Sequence, residues 1–324
     1  QRDGLDLART LKNRVEEGRS LTALGLILLE SRQPALAVEH MEQAVEIARE
    51  VGDRVLESRA LGNLANAAAY VLRDYISARE YYKQAQKLAV ELGDRFGEGV
   101  EKANIGWVTM LLGDYETARA ELEGALSIAR EVDHSYQEIY TLLNLSAVNE
   151  AQGNVEPSEQ YAVQAMELSL ERGDRSGEAW SYYYLGNALL GSGKLDEARS
   201  AFARALQMRA EQNQPSLAKE PLAGLIRVAL ADHDHALAIQ YANEVMEYLA
   251  NGGTLDGAEE PLRIYLACFD ALKTKHDPRC DEILAVARDL LNAQAARISV
   301  VSSRRRFIDN VPWRREIMEH VAKM

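Results

Sequence analysis

The sequence predicts an all-α fold: a right-handed α-solenoid of about seven antiparallel helix pairs with a C-terminal capping helix. Three observations predict it. Short motifs recur about every 40 residues. Small side chains recur at matched positions of the paired helices. No alternating strand of useful length and no hairpin signal interrupts the pattern.

The recurrence is read from three ladders. Gly-Asp-Arg stands at Gly52-Asp53-Arg54, Gly93-Asp94-Arg95 and Gly173-Asp174-Arg175, and Val132-Asp133-His134 reads as a decayed copy. A second ladder runs through Asp74-Tyr75, Asp114-Tyr115 and Lys194-Leu195, each followed by an Ala at 78, 118 or 198. The third is Glu220-Pro221-Leu222 and Glu260-Pro261-Leu262. The first Gly-Asp-Arg step is 41, so one residue is inserted in unit one or two.

Each unit reads as helix A, a turn and helix B. In the third unit these are about 97–112, Gly113-Asp114 and about 115–132. Glycine ends helices because it accepts the left-handed conformation. Pro34, Pro157, Pro221 and Pro261 suit first turns, where no backbone donor is needed.

Helix B carries Ala37, Ala78, Ala118, Ser158, Ala198 and Ala238, and two turns later Ala44, Ala85, Ala125, Ala165, Ala205 and Val245. Helix A carries Gly25, Gly106, Ser146 and Gly186, with Asn66 and Ile226 breaking the series. Small residues let helices approach, and Met41, Tyr82, Leu122 and Phe202 fill the space between.

Composition sets bounds on function. The 324 residues carry 37 basic and 50 acidic side chains, a formal charge of −13. That balance argues against nucleic acid and anionic membrane as partners. No apolar run approaches the roughly 20 residues of a membrane span. Two cysteines, Cys268 and Cys280, read as reduced thiols of a cytoplasmic protein. The polar opening segment does not resemble a signal peptide, and a start at Gln1 reads as part of a longer protein.

Catalytic motifs are absent. Gly191-Ser192-Gly193-Lys194 lacks the first glycine and the following Ser or Thr of a phosphate loop, and reads as a turn. Asp232-His233-Asp234-His235 offers too few ligands for a structural metal site and reads as a polar turn. No cofactor is expected, and the chain reads as non-enzymatic.

These positions resemble the tetratricopeptide repeat (TPR), in the 40-residue form that reads Leu185-Gly186-Asn187 and Gly113-Asp114-Tyr115. The resemblance covers six units over about 18–250 and a weaker seventh over about 258–292, within a solenoid of 1–294. It implies that one face of the A helices lines a concave groove. In unit four that face is Tyr140, Leu143, Ala147 and Glu150; in unit five it is Trp180, Tyr183, Asn187 and Leu190. Asn63, Ala67 and Tyr70 of unit two, and Ala103, Trp107 and Met110 of unit three, are in phase.

The candidate binding residues are therefore Asn63, Tyr70, Trp107, Tyr140, Leu143, Trp180, Tyr183 and Asn187. Aromatic rings offer contact area at low entropy cost, and Asn pairs with an extended backbone. Aromatic packing between helices accounts equally for such a stripe.

Segment 295–324 changes character. Arg304-Arg305-Arg306-Phe307 and Val311-Pro312-Trp313-Arg314-Arg315-Glu316-Ile317 are basic in an acidic chain. Phe307, Val311, Trp313 and Ile317 are expected to cover the end of the array, with the arginines as a solvated rim. The segment resembles the closing part of helical arrays in bacterial signal-transduction ATPases with numerous domains and related transcriptional regulators. That resemblance implies a sensor module for a protein, peptide or small inducer, linked covalently to nucleotide-binding and effector domains. Ligand binding would then favour an open state, release autoinhibition and permit nucleotide-driven oligomerisation. A free-standing adaptor for protein–protein interaction is the alternative.

Overall fold

A computed structural model describes residues 2–31 and 33–323. Among them there is no strand. The helices form two compact units, divided between Asp133 and His134.

The first unit contains α1 (Arg2–Thr10), α2 (Arg14–Glu30), α3 (Pro34–Val51), α4 (Arg54–Asn66), a π-helical turn (Ala67–Val71), α5 (Tyr75–Leu92), α6 (Arg95–Leu111) and α7 (Tyr115–Glu131). The second contains α8 (Ser135–Ala151), α9 (Val155–Arg172), α10 (Arg175–Gly191), α11 (Leu195–Glu211), α12 (Lys219–Ala231), α13 (His235–Ala250), α14 (Pro261–Lys273), α15 (Arg279–Ala296), α16 (Val301–Asp309) and α17 (Pro312–Val321). Pro34, Pro157, Pro221 and Pro261 lie in first turns, Pro34 and Pro261 at the first position.

Pairing within a repeat is antiparallel. Lys102 of α6 bonds Glu121 of α7 at 2.7 Å, while Gly106, one turn on, meets Leu122 and Ala118. The small residues sit where the helices touch. A methyl on Gly25, Gly106 or Gly186 would lie 2.6–2.8 Å from Met41, Leu122 or Phe202. In the fourth repeat Ser146 and Ser158 replace the Gly–Ala pair, and each hydroxyl donates to the other's carbonyl at 2.9 Å. The expected helix B positions, Ala37 to Ala238 and Ala44 to Val245, are all buried.

The Gly-Asp-Arg turns have a physical division of labour. Gly52, Gly93 and Gly173 adopt φ of 67–72° and end the preceding B helix. The aspartates then cap the next A helix, with Asp94 accepting from Gly97 N at 2.9 Å. The arginine bridges a glutamate three residues on and another near the end of the following B helix: Arg95 reaches Glu98 at 2.8 Å and Glu131 at 2.7 Å. Lys12-Asn13-Arg14 is a further copy: Lys12 has φ 53°, Asn13 caps α2, and Arg14 pairs with Glu17 and Glu50. The decayed copy is shifted by one residue from the sequence reading. Asp133, with φ 52°, takes the glycine's place, and His134 accepts from Gln137 N as the cap.

The extra residue of the first 41-residue step is absorbed in the π turn, where Leu72 N–H reaches Ala67 O at 3.1 Å, five residues back. Counted from the cap Asp53, the fully buried Ala65 is the small residue of that A helix, and Asn66 is the position after it. Asn66 instead accepts a hydrogen bond from the Tyr82 hydroxyl at 2.6 Å. The departure at Asn66 and the 41-residue step thus share one cause.

The closing segment holds two short helices, α16 and α17, where a single capping helix was expected. Phe307, Val311 and Ile317 are buried, and α17 packs on α14 and α15. Arg314 departs from the expected solvated rim: it is 1% exposed, lies over the Phe307 ring at 4.0 Å and pairs with Glu260 at 2.7 Å. A fully buried cation needs such a partner. Arg305 and Arg315 are exposed as expected.

Candidate functional site

The candidate residues fall into the two units, each with its own stretch of A-helix face. In the first unit, Tyr70 leaves the π turn 58% exposed and stacks on the buried Trp107 at 4.5 Å, with the rings 22° apart. The π turn also moves Asn63 out of the column of Leu143 and Tyr183. Counted from the caps, Asn63 aligns with Asn104 and Asn144, and all three are half-buried. Glu101 lies beside Gly62 and is pushed up to about 7 by burial, against a hydrogen bond from Asn104 that lowers it.

In the second unit, Tyr140 is half-buried against Tyr136 at 4.6 Å, and Leu143 is buried. Trp180 is half-buried beside Tyr183 and Tyr184, with the Arg209 guanidinium over its ring at 4.5 Å. Tyr183 and Asn187 are buried, Asn187 to 1% exposure. Burial raises the Tyr183 hydroxyl well above its ordinary range, and the Tyr184 hydroxyl likewise.

Further groups complete this second stretch. Arg227 of α12 donates to Asn187 Oδ1 at 2.9 Å. Arg263 of α14 grips Glu150 of α8 through both terminal nitrogens, at 2.5 and 3.3 Å, and lies over Trp313 at 4.8 Å. Glu220 Oε1 accepts from the backbone N–H groups of Glu259 and Glu260, at 2.6 and 3.2 Å, where α14 begins. Glu260 in turn accepts from Trp313 Nε1 at 3.1 Å and pairs with Arg314.

These groups were legible but not singled out. Stepping by 40, Tyr140 and Trp180 lead to Glu220 and Glu260, Tyr183 leads to Arg263, and Asn187 leads to Arg227. The columns of the fourth and fifth repeats therefore continue into the sixth and seventh, changing from aromatic to charged.

The other singled-out motifs are structural. Gly193, at φ 74°, and Lys194 form the turn between α10 and α11, with Lys194 bonded to Glu159 at 2.9 Å. Asp234 caps α13, and Asp232 pairs with Arg199 at 2.7 Å. Cys268 and Cys280 are free, buried thiols; burial pushes Cys268 up to about 12. No helix among the described residues is long and apolar enough to cross a membrane.

In each unit, paired helices with glycine-lined A–B contacts carry a polar, aromatic A-helix face, and that pattern defines a repeat protein. The chain belongs to the tetratricopeptide repeat family: residues 5–91, 101–171 and 151–211, more than half of it, match that family. No curated protein sequence matches the chain. Several solved structures share its fold. The apo quorum sensor NprR from B. thuringiensis is 16% identical, with 89% of this chain and 81% of that one covered and a TM-score of 0.65. The STAND protein PH0952 from Pyrococcus horikoshii, which has a TPR sensor, is 17% identical, with 89% and 43% covered and a TM-score of 0.59. A Rap protein complexed with Competence and Sporulation Factor is 14% identical, with 95% and 99% covered and a TM-score of 0.58. At these identities the likeness is one of fold.

Proposed function

We propose that this chain is a non-catalytic ligand-binding TPR module, the sensor part of a larger signalling ATPase or transcriptional regulator. It takes a peptide, a protein or a small inducer on the A-helix face. The observation that carries this reading is the exposed Tyr70 ring stacked on Trp107. A large ring held flat by another and open to solvent is a preformed contact surface, because its ordering entropy is already spent. Three structural neighbours support the direction: one is a quorum sensor, one is held with a Competence and Sporulation Factor, and one carries a TPR sensor within a STAND protein. The ionic groups of the face support a binding role over catalysis, since Glu150 and Glu260 are tied to Arg263 and Arg314. In the full protein, binding here would favour an open state and permit nucleotide-driven oligomerisation.

The test is retention of a random hexapeptide pool and a metabolite pool by the chain and by its Tyr70→Ala variant. Tyr70 is exposed, so the variant is expected to keep its melting temperature and lose retention. Unchanged retention in Tyr70→Ala and in Trp180→Ala would sink the reading.

A further inference from the structure

The closing end of the second unit holds a cluster that helix packing does not explain. Asp270 stands in the last turn of α14. Glu316 and His320 are four residues apart on α17 and so share one face. His320 Nε2 lies 3.8 Å from Asp270 Oδ1 and 3.7 Å from Glu316 Oε1. One ligand atom from each side chain lies within 4.8 Å of the other two, the one such group of His, Cys, Asp and Glu among the described residues. These separations are too long for hydrogen bonds. His320 Nε2 is buried and closes none. Neither carboxylate has a lysine or arginine nitrogen within 4 Å among the described residues.

We propose that Asp270, Glu316 and His320 form a site for a divalent transition-metal ion of the zinc class, which clamps the closing helix α17 to α14. The proposal goes beyond the sensor reading and does not depend on it. Three arguments carry it. The first is the donor set. One imidazole nitrogen with two carboxylates suits zinc and its neighbours, whereas calcium takes more oxygens and magnesium keeps several waters. The second is spacing. Zinc bonds of about 2.1 Å set the ligand atoms of a tetrahedral ion roughly 3.4 Å apart. The two edges through His320 are a few tenths of an ångström longer, which side-chain rotation closes. The third is preorganisation. Arg314 already ties α17 to Glu260 at the start of α14, Ile317 is buried, and the imidazole lies against the Phe269 ring at 4.7 Å. Little is left for the ion to order. The Glu316 side chain is 50% exposed, so the remaining coordination position opens to water.

Lys273 has a defined part in this arrangement. Its Nζ lies 3.3 Å from His320 Nδ1. An ammonium only donates, so without the ion Nδ1 accepts and the ring proton sits on Nε2. A metal needs the Nε2 lone pair. The ring proton then belongs on Nδ1, and the exposed Lys273 swings out on its flexible stem. Lys273 therefore competes with the ion.

The experiment uses the full chain stripped with EDTA. Zinc chloride is expected to raise its melting temperature and EDTA to reverse the rise, because the three ligands converge only in the folded chain. Magnesium and calcium chloride at equal ionic strength are expected to leave it unchanged. Cobalt(II) chloride serves as the spectroscopic probe: its visible absorption should intensify and saturate at one equivalent. Glu316→Gln, at a half-exposed position, is expected to keep its helicity and to bind cobalt more than about tenfold weaker. His320→Gln and Asp270→Asn should behave alike. Lys273→Met should bind more tightly than the parent. His233→Gln and His235→Gln, in the polar turn before α13, should leave the zinc increment and the cobalt spectrum unchanged.

A zinc increment absent from the parent, or matched by magnesium, overturns the site. So does an increment or a cobalt spectrum retained in both Glu316→Gln and His320→Gln. Loss of both signals in His233→Gln marks an adventitious ion on the polar turn and overturns it as well. Weaker binding by Lys273→Met does the same, because ion and ammonium cannot share the imidazole.

Discussion

At Gly106 and Gly186 one hydrogen atom decides how near two helices lie. A methyl group there meets Leu122 or Phe202 well inside contact distance. Alanine would gain up to about 1 kcal/mol of helix propensity. The overpacking outweighs it, so Gly186→Ala is expected to lose about 1–3 kcal/mol in denaturant unfolding. Titration is also a residue-scale property here. Glu101, Asp270 and Glu220 are pushed up by burial to about 7, 7 and 8, from ordinary values of 4.5, 3.8 and 4.5. Between those limits the folded chain holds more protons than the unfolded one, so stability falls as pH rises. Melting temperatures are expected to decline from about pH 5 to pH 8, and Glu220→Gln to flatten part of that decline. A Glu220→Gln profile as steep as the parent's would refute the assignment. Asp277, held down to about 2 by Arg279, acts oppositely and only below about pH 4.

Elements here are joined by turns whose three residues have separate tasks, and the tasks predict different costs. Asp94→Ala removes a cap and is expected to cost about 1 kcal/mol. Arg95→Met breaks two exposed ion pairs and should cost less than the Asp94 change, with its effect shrinking in salt. Chemical denaturation of both variants checks the order. The π turn makes a stronger prediction. Deleting Ala68 restores the regular spacing, so the chain should keep its helicity by circular dichroism while Tyr70 leaves its stack on Trp107. How legible each element was follows from what marks it. Gly-Asp-Arg turns announce themselves because left-handed φ and capping restrict the residue choice. Lys12-Asn13-Arg14 went unread because Lys stands where Gly is usual, although its arginine makes the same two ion pairs. The decayed turn at Asp133 was read one position early for the same reason: neither Asp nor His has the signature of the residue it replaces.

For the molecule as a repeat array, periodicity carried the fold and lost information where chemistry departs from the period. The columns through Tyr140, Leu143 and Ala147 are visible in the sequence; their charged continuation through Glu220, Arg227 and Arg263 is masked, because isolated charges look like solvated surface until burial is known. Arg314 misled in the same way. Removing residues beyond Ala296 is expected to expose the apolar sides of α14 and α15, including Phe269 and Leu291, and to lower the melting temperature and promote aggregation, measured by light scattering on heating. The π turn, lastly, has a consequence for how such chains can change. A spare residue is swallowed within five positions, and the turns from Gly93 to His233 return to the 40-residue beat. Length errors are thus quarantined where they arise, and lineages of this architecture can drift by single insertions without retuning distant neighbours.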